Sequence, residues 1–347
     1  MIPRDDLDSR SARQRKSARR ICKRDASIGW AGPRAMCYNG KMPLDHFVAQ
    51  TVLGAWCDPK TGKLQAYRKS TGGRFTPTPK VVCARHDDDE NPYLETPDLL
   101  GQFRSLWEPH WTGAVEGFRR GVLDANNKYA LSLGWASMMT TTPTSSDIGA
   151  QFLERFLRGM APLIARTPPP PGALETMKIE VDRKFAQAQF TRVLPLLALR
   201  LYSQPWTLLT NATDEPFLTS DNPSAMFGHD DMGSPPAYLL PLAPDLCVTT
   251  VMNPVLSLPK TFELADIMAH SIGAVRPQVA TPEQVRFVNS LTVKHAGDIV
   301  LSSESSDDIG ALVETLRQYG VKLDFTPDTL EANKALVGGK LGVGIVR

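Results

Sequence analysis

The chain has 347 residues, with 39 Lys plus Arg against 37 Asp plus Glu, a formal net charge of +2, and 42% hydrophobic against 22% charged residues. That balance is globular and excludes a wholly disordered chain, a coiled coil and a collagen. No apolar run approaches the roughly 18–20 residues of a membrane helix, and the basic N-terminal stretch lacks the apolar core of a secretory signal, so the expectation is a cytoplasmic protein without a membrane partner.

Residues 1–25 read as a charged arm. Within residues 1–24 nine Lys or Arg, from Arg4 to Arg24, face three acids, Asp5, Asp6 and Asp8, which makes the remaining chain slightly acidic. Such an arm suits phosphate-rich partners through counterion release, and equally a solvated helix that keeps a protein soluble. The domain reading is an arm over 1–25, one α+β domain over 26–303 with an internal break near 167–172, and a C-terminal helix and tail over 304–347.

Residues 40–92 read as a short helix, a hairpin and a loop. Phe47, Val48, Thr51, Val52 and Ala55 have helical spacing, Asp58-Pro-Lys-Thr-Gly62 is turn chemistry, and Lys63 to Arg68 alternates as a strand does. Residues 98–120 predict one amphipathic helix, with Leu99, Phe103, Leu106 and Trp107 on a face and a kink or break at Pro109. A second helix is expected over 146–166, capped by Ser145 or Ser146, and the four prolines at 168–171 form a rigid break. Helical character resumes over 173–202, with Pro195 marking a kink or a change of helix. From Trp206 the pattern turns to strands: 206–210, 217–219, 238–242 and 246–252. A helix is expected over 282–296, a strand over 298–302 and a helix over 307–319. The class is α+β, with an N-terminal helix and hairpin, a helical middle and a C-terminal β-rich part built on a mixed or antiparallel sheet.

The five cysteines, Cys22, Cys37, Cys57, Cys83 and Cys247, form no Cys-x-x-Cys and predict reduced thiols. There is no phosphate loop, dinucleotide fingerprint, His-Glu-x-x-His or Gly-x-Ser-x-Gly, which argues against the common NTPases, dehydrogenases, zinc peptidases and α/β-hydrolases. Three polar constellations remain. In Asp45-His46-Phe47-Val48-Ala49-Gln50, His46 and Gln50 lie four apart and would share a helix face, the His as acid, base or ligand and the Gln orienting a substrate. Taken alone, such a His is more often a structural hydrogen-bonding residue. Thr219-Ser220-Asp221-Asn222-Pro223 ends a predicted strand, and Asp221 suits a metal or a histidine, or an Asp turn onto its own backbone. His86-Asp87-Asp88-Asp89-Glu90 has hard-cation oxygen ligands without EF-hand spacing and reads as a solvated acidic loop, as does Gly228-His-Asp-Asp231.

The first two constellations carry a resemblance. Asp45 to Gln50 resembles the His-Phe-Val-Pro-Gln signature of the domain of unknown function 4238 family. In the same order Lys63 to Arg68 resembles its strand ending in an aromatic and a basic residue, and Leu106-Trp107-Glu108 its apolar-Glu step. Trp206 to Pro223 resembles its segment ending Ser-Asp-Asn-Pro, Leu239 to Pro244 its Pro-Leu-x-Pro turn, and Asn289 to Ser302 its closing helix and strand. The resemblance spans roughly residues 44–303, with Ala49 where the family prefers Pro. It implies positions and no chemistry: His46, Gln50, Arg68, Glu108, Asp221 and Asn222.

Two functions suit that set. The first is a hydrolase of a phosphodiester or related bond. Asp221 and Glu108 would hold a divalent cation, Mg2+ or Mn2+, with His46 as base or ligand, Arg68 stabilising developing charge, and Gln50 and Asn222 binding substrate. No nucleotide or flavin cofactor is expected. The second is a non-catalytic binding module that reaches nucleic acid or a protein through the basic arm, residues 4–24, with His46 and Asp221 clamping the fold.

Overall fold

The computed structural model describes residues 44–86, 89–122, 124–164, 180–227, 237–251, 275–322 and 344–346. The basic arm, Cys22, Cys37, Asp87, Asp88, the four prolines at 168–171 and the acidic loop at 228–231 lie outside these residues.

The chain enters as strand β1 (Leu44–His46), followed by a single helical turn, α1 (Gln50–Leu53), and a 3-10 turn, Gly54–Trp56. Of the helix expected from the spacing of Phe47 to Ala55, only the second half forms. Residues 44–46 are instead paired antiparallel with β4 (Ala84–His86). Between them lie β2 (Gln65–Arg68) and β3 (Arg74–Phe75), which form the expected hairpin.

The helical middle begins with α2 (Leu99–Ser105) and α3 (Glu108–Arg119), two helices where one was expected. The break falls before Pro109, because Pro109 stands in the first turn of α3, where its missing N–H is an orphan in any case. Next comes α4 (Ala125–Thr141), whose residues carry no helical period. Thirteen of its residues are buried, on all faces, so it has no polar stripe to mark it. Its start is set by Asp124, whose carboxylate accepts the Asn127 N–H at 2.7 Å. Helix α5 (Pro143–Ile164) starts ahead of the expected cap: Thr142, not Ser145 or Ser146, accepts an N–H in that first turn, from Ser145 at 3.3 Å. Helix α6 (Arg183–Ser203) runs on through Pro195 without dividing.

The β-rich part holds β5 (Trp206–Thr210), β6 (Thr219–Ser220), β7 (Ala225–Phe227), β8 (Ala237–Ala243), β9 (Leu246–Val251) and β10 (Val275–Val279). Helix α7 (Pro282–His295), strand β11 (Ile299–Ser302), helix α8 (Asp307–Leu316) and strands β12 (Gly320–Lys322) and β13 (Gly344–Val346) follow. Strand β10 carries Arg276, Pro277 and Gln278, all exposed, and so lacks the alternation that announces a strand. It lies at a sheet edge, where a proline is tolerated.

Two larger sheets result. The first is mixed, in the order β10-β5-β9-β8-β7, with only β10 parallel to its neighbour. The second is antiparallel, in the order β3-β2-β11-β6. The class is α+β, as the sequence implied. Trp107, Trp111, Trp135 and Trp206 belong to the main core, where helices α3, α4 and α6 meet one face of the mixed sheet. Its other face packs on α7 through Leu209, Cys247, Val285 and Val288. Helices α7 and α8 close over the antiparallel sheet through Tyr67, Val293, Val300, Ile309 and Val313. Among the described residues no helix is long and apolar enough to cross a membrane.

Candidate functional site

The antiparallel sheet gathers polar residues at one end. Arg68 closes β2 and is the register partner of Ile299, which opens β11; Ser220 closes β6 opposite Val300. Lys69, Asp221, Asn222 and Asp298 therefore emerge side by side, from segments far apart in the chain.

Asp221 binds the backbone of this end. Its Oδ1 accepts the N–H of Gly297 at 2.8 Å, and its Oδ2 accepts those of Asp298 and Ile299 at 2.8 and 3.1 Å. Its own N–H donates to the Ile299 carbonyl at 3.0 Å. Burial pushes the Asp221 carboxyl above the ordinary range, against the pull of the three N–H groups. A carboxylate has about four lone-pair positions, and three are taken here.

Asp298 is held in turn by Arg68. The Arg68 guanidinium donates to Oδ2 at 2.7 Å, and the Ser70 N–H donates to Oδ1 at 2.9 Å. Burial raises the Asp298 carboxyl, but these donors outweigh it and hold the group below its ordinary value. Arg68 also lies over the Phe75 ring, 5.3 Å from its centre.

Lys69 turns the other way, into the core. Its ammonium donates to the carbonyls of Val293, Ala296 and Tyr319 at 2.8–2.9 Å, which supplies donors to the C-terminal end of α7. Burial lowers its pKa to about 8, with Asp221 and Asp298 acting in the opposite sense.

Asn222 accepts from the Thr142 hydroxyl at 2.9 Å and donates to the His295 carbonyl at 2.9 Å, so it ties the α4–α5 junction to the end of α7. His295 donates from Nδ1 to the Leu291 carbonyl at 2.9 Å and accepts the Met226 N–H at Nε2, at 3.2 Å. That pair of roles requires the neutral ring. Burial holds its pKa down at about 4.

His46 ends β1, where Nε2 lies 3.1 Å from both the Pro79 and the Lys80 carbonyls. This fixes the Nε2–H tautomer and leaves Nδ1 to accept from the Gln50 amide at 3.4 Å. The two residues meet as their spacing implied, although a strand and not a helix carries His46. The strand partner of His46 is Ala84, and the residue before it, Cys83, is buried with a left-handed φ of 55°. The Cys83 thiol is pushed well up by burial and by the negative charge of Asp221. Cys57, Cys83 and Cys247 are free thiols.

Glu108 stands apart, at the start of α3. It is half-buried, and burial raises its carboxyl against the opposing charge of Arg104. Among the described residues its carboxylate makes no hydrogen bond to Asp221, Arg68 or His46, and no group of three or more His, Cys, Asp or Glu side chains is arranged to hold a metal ion. The cation set of Asp221 and Glu108 finds a poor fit here, because the Asp221 oxygens are turned to backbone N–H groups. In the acidic loop, Asp89 forms an ion pair with the buried Arg104.

The sequence singled out Arg68, Asp221 and Asn222, and the sheet end brings these three together. It did not single out Lys69, Asp298 or His295. The signal for Lys69 was its place one residue beyond a strand end, and the signal for Asp298 was its place just before one.

Residues 45–306 match the family described as a protein of unknown function, DUF4238, and the chain belongs to that family. No curated protein and no solved structure matches it.

Proposed function

We propose that this protein is a non-catalytic nucleic-acid-binding module, in which the α+β body is a scaffold and the basic arm, residues 4–24, makes the contact. The observation that carries the reading is the charge of the arm, nine Lys or Arg against three acids in a chain whose net charge is only +2. Phosphate neutralisation by such a segment supplies sequence-independent affinity. The site geometry supports it from the other side. His46, Asp221 and Asn222 spend their polar atoms on the protein's own backbone and side chains, and Arg68 pairs with Asp298, which is the work of a folding signature.

The test is fluorescence anisotropy with a labelled single-stranded and a labelled double-stranded 20-mer, over a range of salt concentrations. The whole chain is expected to bind both, with log affinity falling steeply against log salt, by about 0.9 for each phosphate neutralised on a duplex. A chain lacking residues 1–24 is expected to lose that dependence and most of the affinity. Unchanged affinity after removal would overturn the reading.

One residue favours the hydrolase instead. Glu108 is a half-buried carboxyl with a raised pKa and no hydrogen bond among the described residues, as a general acid would be. Cleavage of the same oligonucleotides in Mg2+ or Mn2+, abolished by Glu108→Gln at unchanged binding, would put that reading first.

A further inference from the structure

We propose that a pocket between the mixed sheet and α7 binds a small uncharged aromatic molecule carrying a hydroxyl group. The pocket is half open and has a volume of about 240 Å³. It is smaller than the roughly 300–1,000 Å³ of drug-sized sites, so a single substituted ring suits it.

Its origin lies in the register of the sheet. Strand alternation turns Trp206, Leu208 and Val248 to the main core and Leu209, Cys247 and Leu239 to α7. Thr207 and Thr249 share that second face and are direct cross-strand partners, with Leu239 next in the same row. This row forms the floor. Neither threonine hydroxyl bonds to another described side chain or carbonyl, although Thr250, on the opposite face, donates to the Pro205 carbonyl at 2.8 Å.

The wall is aromatic. Phe227, from β7, and Phe287, from α7, meet edge to face with ring centres 5.4 Å apart. Phe287 stands at the edge of the α7 face that covers the sheet and is 49% exposed. A third ring against this pair would bury that surface and add a further edge-to-face contact. Gln278 and Gln284 form the rim, joined by a 3.3 Å hydrogen bond. Among the described residues no charged side chain lines the pocket, which argues against phosphates and carboxylates as its occupants and favours an uncharged one. The two hydroxyls at the floor supply the polar end of the match.

The experiment uses the whole chain with labelled Leu, Val and Thr methyl groups, titrated by NMR with phenol and, separately, with toluene. Phenol is expected to shift the Leu239, Val288 and Thr249 methyls saturably and to bind more tightly than toluene. Thr207→Val and Thr249→Val keep the shape and remove one hydroxyl each. Each is expected to weaken phenol about fivefold, the worth of one hydrogen bond, and to leave toluene unchanged. Absence of saturable shifts, or equal phenol affinity in both variants and the parent, would overturn the proposal. So would contacts from residues 228–236 or 252–274 to the Phe287 ring, since those segments adjoin β7 and β9 and would then be the occupant.

Discussion

Arg68 and Asp221 hold the same residue, Asp298, from two sides. Asp221 accepts its backbone N–H, and Arg68 donates to its carboxylate. Two residues that the sequence presented as catalytic candidates thus meet in one short connection, Gly297–Ile299, that starts strand β11. Asp221 is the more costly of the two to lose. Its removal leaves three backbone N–H groups without an acceptor, each bonded to a charged group that contributes about 1.5–3 kcal/mol. Asp221→Ala is expected to lower stability by about 3 kcal/mol or more, read from the midpoint of urea unfolding. Arg68→Ala, on a partly exposed pair, is expected to cost about 1 kcal/mol or less. Equal and negligible effects would refute the structural role.

Lys69 provides an independent check of the same end. Lys69→Met keeps the length of the side chain and leaves the carbonyls of Val293, Ala296 and Tyr319 without its donors. A loss of about 2–4 kcal/mol is expected, in spite of the relief of burying a charge. The fraying should be local to the end of α7, so amide hydrogen exchange there is the measurement.

The contrast between Lys69 and Arg68 shows how far the sequence was legible. Strands β2, β5, β8, β9 and β11 and helix α7 were found because each is a short apolar or periodic run bounded by a clear turn or cap. Helix α4 and strand β10 were not: the first is buried all round and the second is an edge strand with a proline, so neither carries its period. The same limit applies to the site. Asp221 and Asn222 stood out as polar residues at a strand end, but whether their atoms face solvent or backbone depends on Gly297 to Ile299, some 75 positions later. Lys69 was unremarked because a lysine beside an arginine at a strand end reads as surface. Only the fold brings the C-terminal end of α7 to it.

His295 predicts a dependence on pH. The folded chain keeps its ring neutral down to about 4, whereas an unfolded histidine takes up a proton near 6.5. Between those values the unfolded state binds more protons, so stability falls as pH drops through the window, by about 3 kcal/mol in all. Asp221 works in the opposite sense. Its raised carboxyl is protonated first in the folded state, which offsets part of the loss near the acid end. Urea unfolding at pH 7, 6, 5 and 4 should show the fall. His295→Gln should be less stable at pH 7 and flatter across the window; an equally steep profile would place the cause elsewhere.

Gly134 sets the spacing of the helical layer. A Cβ there would come within 2.5 Å of the Trp111 ring and 2.8 Å of the Trp107 ring. Both indoles are buried and meet edge to face at 5.4 Å, so neither has room to swing aside. Intrinsic propensity alone favours Ala over Gly inside a helix by about 1 kcal/mol. Overpacking of a rigid aromatic pair costs about 1–3 kcal/mol and works against it. Gly134→Ala is therefore expected to be destabilising on balance, by up to about 2 kcal/mol, with a change in tryptophan fluorescence as the rings shift. A stabilised variant with an unchanged spectrum would mean that α3 and α4 are not packed at this distance.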